Sequence, residues 1–173
     1  SEMCIRDSTK PSKPFFLGVG FVKPHTPLYA PKKYFDMFPL DGIILPEIKN
    51  GDIDDTHYKD VYPPSEMGLS YYNKLMLSFP ESEGLKEFLR AYLACIAFMD
   101  DQVGKVLNAL ENSKFSENTI VVFTSDHGWQ MGQKEYLYKN SPWEESTKIP
   151  MIIKTPQKQL GEVLEPVSLI DIY

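Results

Sequence analysis

The sequence has little cysteine and no apolar run approaching 18 residues. Two cysteines, Cys4 and Cys95, are too few for a disulfide framework, and apolar runs this short do not form a membrane-spanning helix. Basic residues are not in excess either, because 18 Lys and Arg stand against 24 Asp and Glu, for a net charge of −6. A nucleic-acid-binding face needs clustered positive charge, so we expect no nucleic-acid partner.

The composition is otherwise that of a globular protein, with 42% hydrophobic and 24% charged residues among 173. Such a chain can bury a core and is neither disordered nor fibrous. Residues 1–8 have no apolar or helical period that continues into the next segment, and we treat them as a candidate foreign leader. No signal peptide is recognisable. Residues 167–173 are largely apolar with no polar tail, so we expect the chain to be a piece of a larger domain.

Proline separates a loop-rich first third from a regular middle. Nine of the 14 prolines lie between Pro11 and Pro64, whereas residues 81–141 contain none. Within the first third, the apolar run 15–21 predicts a buried strand, and residues 32–38 predict a short helical turn. The polar segment 49–60 is expected to be exposed, with its His57 on the surface.

The clearest predicted element is a helix over 85–111, where apolar residues recur every three or four positions. Cys95 lies in this helix as a small core residue. The β-branched run 119–124 predicts a strand covered on both faces, and residues 149–154 predict another. A helix followed by a buried strand indicates an α/β fold with a largely parallel sheet flanked by helices.

Asp126 and His127 come directly after the predicted strand 119–124, where parallel sheets gather their ligand sites. A carboxylate suits a hard ion such as calcium, and an imidazole also accepts zinc, so the pair is a candidate metal site. The same residues also fit a structural role, in which Asp126 caps the following turn and His127 is a hydrogen-bonded loop residue.

His25 follows the predicted strand 15–21 and is flanked by Pro24 and Pro27, which stiffen the loop. A histidine held in this way can donate to an anionic substrate or protonate a leaving oxygen. The alternative is a surface histidine in a proline-rich turn.

Lys139 lies among aromatic residues, 13 positions after Asp126. Aromatic walls lower the local dielectric, so an ammonium there would hold a sulfuryl or phosphoryl oxygen more strongly. Lys134 is close by and is the second candidate for the same role. Alternatively, the stem of Lys139 covers the aromatic rings while its ammonium stays in water.

These segments together resemble one known family. The run VFTSDHGW at 122–129, Met131-Gly132, Lys139 and the run WEESTKIP at 143–150 are similar to the metal-binding segment of type I sulfatases. The run GVGFVKPHTP at 18–27 resembles the substrate-site loop of their iduronate-2-sulfatase-like branch. The run FMDDQVGKVL at 98–107 is similar to the helix that precedes the metal strand. The resemblance extends from about Lys13 to Tyr173.

The resemblance implies an alkaline-phosphatase-like α/β fold and hydrolysis of sulfate esters, with sugar sulfates as the expected substrates. It implies one Ca²⁺ ion with Asp126 and His127 among its ligands. Lys139 would then bind the sulfate, with Lys134 as a further candidate, and His25 would bind the sulfate or assist the leaving group. The family's usual compartments imply a periplasmic, secreted or lysosomal protein.

Two family features are missing from the sequence. There is no Cys-x-Pro-x-Arg or Ser-x-Pro-x-Arg motif, whose Cys or Ser becomes the formylglycine nucleophile, and no match to the N-terminal Asp-Asp metal pair. We therefore expect residues 9–173 to be the central to C-terminal part of a sulfatase catalytic domain. The nucleophile would lie in the missing N-terminal part, and the isolated chain should be inactive.

Two other functions stay open. A metal-dependent phosphodiesterase or phosphatase of the same superfamily would need more His and Asp ligands, and the chain has only three histidines. A non-catalytic binding domain could keep the fold without the chemistry. In that case Asp126, His127, Lys139 and His25 would not converge on one site.

Overall fold

A computed structural model describes residues 14–80, 82–157 and 160–172 of the chain. Residues 1–8, the candidate leader, lie outside the described residues, as does Cys4. The helices are α1 (Lys32–Phe35), α2 (Tyr58–Val61), α3 (Met67–Ser78), α4 (Glu83–Glu111) and α5 (Glu144–Thr147). The strands are β1 (Val121–Thr124), β2 (Gln130–Met131), β3 (Leu137–Tyr138) and β4 (Met151–Lys154), and 3-10 turns span Leu40–Gly42, Gln133–Glu135 and Leu169–Ile172.

The long helix α4 confirms the prediction from apolar spacing and begins two residues earlier than expected. Its Ala94 and Cys95 are completely buried, which confirms Cys95 as a core residue. Burial raises the pKa of the Cys95 thiol, so the side chain behaves as a small neutral hydrophobe. Within the described ranges, no helix combines the length and apolar character that crossing a membrane requires.

Helix α1 packs across α4 through Tyr34, which confirms the predicted helical turn. The Tyr34 hydroxyl donates to Asp101 Oδ2 at 2.7 Å, and its ring lies 5.3 Å from the ring of Phe98. Lys105 Nζ lies 3.6 Å from the same carboxylate. The loop-rich first third is thus fixed to the helix by a buried aromatic ring and one shared carboxylate.

Both strand pairs are antiparallel, whereas a largely parallel sheet was expected. Thr124 of β1 pairs with Met151 of β4, and β2 pairs with β3 in a short hairpin. A parallel return needs a crossover element, usually a helix, to carry the chain back to the starting edge of the sheet. The only helix between β1 and β4 is the four-residue α5, so β4 starts beside the end of β1 and runs back along it.

The apolar run 15–21 forms no strand, and the prediction of a buried strand there was wrong for the described chain. Phe16 is 94% exposed, whereas Phe15 packs edge-on against Phe115 at 5.1 Å. Apolar composition signals a preference for burial, but a strand also needs a hydrogen-bonded neighbour. Among the described strands, β1 and β4 pair only with each other, so the run has none.

Burial of β1 was also overestimated, since Val122 is 45% exposed. The strand β4 forms where a short strand was predicted, and its Ile152 is 60% exposed. The opposite error occurs in segment 49–60, where Ile53 is completely buried. His57, in contrast, is on the surface as predicted.

The centre of the core lies where α3 meets the segment after β2. Tyr136 is completely buried against Ile53 and Leu69, and Trp143 packs on this cluster. The ring of Tyr136 lies so close to Gly68 that a Cβ added to Gly68 would be 2.2 Å from Tyr136 Cζ. Glu66 caps α3 by accepting from the backbone N–H of Leu69, which fixes the helix start beside this ring.

Candidate active site

Asp126 and His127 lie in the turn that directly follows β1. The His127 ring is about three-quarters buried, whereas the Asp126 carboxylate is 84% exposed. His127 Nδ1 lies 2.8 Å from the carbonyl oxygen of Gly128. Because a carbonyl can only accept, Nδ1 carries the proton and donates, so Nε2 of a neutral ring keeps its lone pair.

His127 Nε2 lies 3.5 Å from Asp126 Oδ2. A neutral imidazole and a carboxylate each offer a lone pair, and a cation held by both would lie between them. The two side chains stand close enough together to be ligands of the same ion.

No cluster of three or more His, Cys, Asp or Glu side chains suited to a metal occurs in the described part of the chain. Calcium takes six to eight oxygen ligands, and here one carboxylate and one imidazole stand together. The donor set fits two ligands of such a site, and the described residues alone do not complete it.

Trp129 lies at the centre of the residues predicted from sequence. Its ring centroid is 6.3 Å from that of His127 and 6.3 Å from that of His25. The His127 ring lies nearly parallel to the indole, and the His25 ring meets it edge-on. Residues about 100 positions apart in sequence thus converge on one aromatic side chain.

His25 is exposed, and its ring is oriented by its own loop. Nδ1 lies 2.7 Å from the carbonyl oxygen of Thr26, so it carries the proton and leaves Nε2 open. The backbone N–H of His25 donates to the carbonyl of Val22, which closes the turn. The loop therefore presents Nε2 as the reactive nitrogen.

Lys139 follows β3, directly after Tyr138, whose ring lies 5.3 Å from Trp129 in an edge-to-face contact. The Lys139 side chain is half-buried and makes no hydrogen bond or ion pair with the described residues. Burial raises the pKa of Tyr138, so this phenol stays neutral beside the lysine. A half-buried ammonium that no described residue pairs is suited to an anionic ligand.

Lys134 is in a different environment. Its Nζ lies 2.9 Å from Asp52 Oδ1 and 3.0 Å from Asp55 Oδ1, and it donates to the Asp52 carbonyl. Hydrogen bonding from Lys134 lowers the pKa of Asp52, and bonding to both carboxylates raises the pKa of Lys134. No described contact joins Lys134 to His25 or Trp129, and its ammonium is paired with the two carboxylates instead.

Replacing Lys134 with methionine should reduce the stability of the protein above pH 4 and have little effect near pH 2. A carboxyl whose folded pKa is lowered stabilises the fold above its ordinary value near 3.8 and loses that contribution as the pH falls through the folded value. Urea unfolding from pH 2 to 6 measures this. If the free energies of unfolding of wild type and variant differed by the same amount at every pH, the prediction would be contradicted.

Sequence reasoning missed three features of the site. It did not identify the Asp52 and Asp55 partners of Lys134, because they lie about 80 positions away and only the fold joins them. It did not recognise Trp129 as the centre of the site, although the residue stands within the recognised motif. It also missed the buried side chains of Gln130 and Ser146 and the partly buried Ser141, which carry no distinctive spacing.

Comparison with solved structures identifies the fold class. The chain superimposes on the phosphonate monoester hydrolase of Agrobacterium radiobacter with a TM-score of 0.70 and 25% identity, covering 86% of this chain and 31% of that one. This likeness and the sequence-family match below define an alkaline-phosphatase-like α/β fold.

The sulfatase family model matches residues 4–173. A sulfatase of Formosa agariphila is 39% identical over 166 residues, covering 93% of this chain and 31% of that protein. The iduronate 2-sulfatase of Mus musculus is 34% identical over 161 residues, covering 84% of this chain and 27% of that protein. The chain therefore belongs to the sulfatase family, and it spans about a third of the length of these relatives.

Proposed function

We propose that this chain carries part of the active site of a hydrolase that cleaves sulfate esters on sugars. The observation that carries the proposal is the convergence of His25 and His127 on Trp129, each at 6.3 Å between ring centroids. A non-catalytic domain that merely kept the fold would have no need to hold these side chains together. Membership of the sulfatase family supports the reaction type.

In this proposal Asp126 and His127 are two of the ligands of one Ca²⁺ ion. Bound there, the ion would offset negative charge on the sulfate oxygens. The support is the distance of 3.5 Å between His127 Nε2 and the exposed Asp126 carboxylate. The remaining ligands and the formylglycine nucleophile are expected from the part of the protein that this chain does not include.

The other proposed roles follow from charge movement during ester cleavage. As the bond between sulfur and the ester oxygen breaks, negative charge gathers on the leaving oxygen, which then needs a proton. His25, protonated at Nε2, would supply that proton. Lys139 would hold a sulfuryl oxygen with its ammonium, which no described residue neutralises.

Replacing Lys139 with methionine should lower kcat/KM for a sulfate ester about a hundredfold, the usual cost of removing one donor to the charge of a transition state. The assay uses the protein expressed from its complete gene. Lys154, which pairs with Glu111 at 3.3 Å on the surface, provides the matched control, and Lys154→Met should retain full activity. Full sulfate-ester turnover by Lys139→Met would overturn the assignment.

A second candidate activity is the hydrolysis of phosphonate or phosphate esters. The structural likeness to the Agrobacterium enzyme favours it, and the same Lys139 and His25 could serve a phosphoryl oxygen. Assaying aryl sulfate, sugar sulfate, aryl phosphate and phosphonate monoester side by side decides between the two. A clear preference for the phosphorus esters would replace the sulfatase proposal.

We further propose that the 173-residue chain alone turns over no sulfate ester, since the nucleophile motif is absent from its sequence. A periplasmic, secreted or lysosomal location and an iduronate-2-sulfatase-like specificity stay predictions from the family. The 34% identity to mouse iduronate 2-sulfatase supports that branch, as does the matching loop that carries His25.

A further inference from the structure

Two buried polar side chains and a third that is partly buried link the segments that carry the proposed site. Gln130 is completely buried, Ser146 is 3% exposed, and Ser141 is partly buried beside them. Ser141 Oγ lies 2.6 Å from Gln130 Oε1 and 2.7 Å from Ser146 Oγ, and Gln130 Nε2 lies 3.3 Å from the carbonyl oxygen of Gln133. We call Gln130, Ser141 and Ser146 the Ser–Gln network.

The proton positions in this network follow from what each atom can do. Gln130 Oε1 can only accept, so the single hydroxyl proton of Ser141 goes to it. Ser146 Oγ lies 2.7 Å from Ser141 Oγ and 3.5 Å from Gln130 Oε1, so its single proton goes to the nearer acceptor, Ser141. The Gln130 amide donates to the Gln133 carbonyl. These three bonds run in one direction, so each polarises the next, and each of the three side chains has a partner.

Each member of the network is attached to a residue of the proposed site. Gln130 directly follows Trp129. The backbone N–H of Ser141 donates to the Lys139 carbonyl at 2.8 Å, and the Ser146 carbonyl accepts from the backbone N–H of Gly128 at 2.8 Å. The network therefore connects the turn after β1, the lysine after β3 and helix α5.

Lys139 needs support of this kind. Its four-carbon side chain makes no described polar contact, so the direction of its ammonium depends on the backbone that carries it. The preceding Tyr138 has a φ of 75°, a left-handed conformation that a bulky residue keeps only when its surroundings hold it. Buried Leu137 holds one side of this backbone, and Ser141 holds the other.

We infer that Gln130, Ser141 and Ser146 are positioning residues for the proposed ester hydrolysis. They hold the backbone of Lys139 at a fixed position relative to the turn that carries His127. The inference rests on the proposed function and adds three residues to it. They do not touch the substrate. They act through Lys139, so their loss should matter only while Lys139 is present.

The test is a double-mutant cycle in the protein expressed from its complete gene, assayed with an aryl sulfate. Ser141→Ala should lower kcat/KM about tenfold, because small displacements of a catalytic group are costly, whereas Ser141→Thr keeps the hydroxyl and should stay within about threefold of wild type. In a Lys139→Met background, Ser141→Ala should cost less than about twofold. A tenfold loss that persists in that background would overturn the inference.

Amide hydrogen exchange provides a readout that does not need turnover. Ser141→Ala should speed exchange at Gly128 and at position 141 about tenfold and leave Cys95 in α4 unchanged. Ser113→Ala, which removes a hydroxyl bonded to the Leu110 carbonyl at 2.7 Å far from the site, should change neither amide. Unchanged exchange at both site amides would refute the positioning role. If Ser141→Ala speeds exchange at these amides but the wild-type protein hydrolyses no sulfate ester, only the proposed function would be refuted.

Discussion

Replacing Gly128 with alanine should lower the free energy of unfolding by more than about 4 kcal/mol, the range reached when overpacking has no room to relax. A Cβ at this position would lie 2.1 Å from the Glu145 carbonyl oxygen and 2.9 Å from that of Lys148. Both are backbone atoms, so no side-chain rotation can relieve the contact. The turn after β1 would have to move away from α5.

That movement would also break hydrogen bonds. The Gly128 N–H donates to the Ser146 carbonyl at 2.8 Å, and the Trp129 N–H donates to the Glu145 carbonyl at 2.5 Å. The Gly128 carbonyl, which accepts from His127 Nδ1, would also move. The His127 ring would lose the contact that orients it, so any cation bound by His127 should bind less tightly. The energetic cost and the damage to the site therefore have the same origin.

Urea unfolding of Gly128→Ala beside Gly104→Ala measures the difference. Gly104 lies inside α4, and a Cβ there meets no atom within 4 Å. Alanine should stabilise that helix by about 0.5–1 kcal/mol. If Gly128→Ala unfolded at the same urea concentration as wild type, the close approach between this turn and α5 would be refuted.

The parts of the fold that depend on local pattern were predictable. Helix α4 shows its apolar face every three or four residues over 29 positions, and this period identifies a helix without any knowledge of its neighbours. The β-branched run before Ser125 likewise identified β1. In both cases the residues that define the element lie within the element itself.

The parts that depend on distant partners were not predictable from composition. The run 15–21 is as apolar as β1, yet it has no hydrogen-bonded strand neighbour in the described chain, forms no strand and is largely exposed. The direction of the described strands was not predictable for a related reason. It depends on the edge at which the chain re-enters the sheet, and the short connection through α5 returns it beside the end of β1.

The candidate site shows the same division. His25, Asp126, His127 and Lys139 were singled out because motif order carries information that single residues lack. Lys134 was singled out because it is near Lys139 in sequence, but the left-handed backbone at 134 and 135 turns it to Asp52 and Asp55. Nearness along the chain is a poor guide to direction where φ is positive.

Replacing His127 with alanine should sharply reduce stabilisation of the protein by Ca²⁺. A ligand that binds only the folded state adds about 2.7 kcal/mol at a hundred times its dissociation constant, and the wild type should show a Ca²⁺-dependent rise in melting temperature. In His127→Ala the ion would lose its proposed imidazole ligand, and Asp126, 84% exposed to water, would be the one proposed ligand that this chain still supplies. The weaker binding should appear as a smaller rise in melting temperature at the same Ca²⁺ concentration.

The chain offers a matched control in His57. It is also a histidine beside an acidic residue, with Nδ1 3.8 Å from Asp60 Oδ2, but its side chain is 97% exposed. If neighbouring charge alone bound the cation, His57→Ala and His127→Ala should weaken the Ca²⁺ effect equally. We expect only His127→Ala to do so, because His127 has Nδ1 bonded to a backbone carbonyl and Nε2 within 3.5 Å of a carboxylate.

The measurement is thermal unfolding of the protein expressed from its complete gene, with increasing Ca²⁺ or with a chelator. The ring contact between His127 and Trp129 allows a second readout, since the indole fluorescence should change as the cation binds. A His127→Ala protein that kept the full Ca²⁺-dependent rise would show that the cation binds elsewhere.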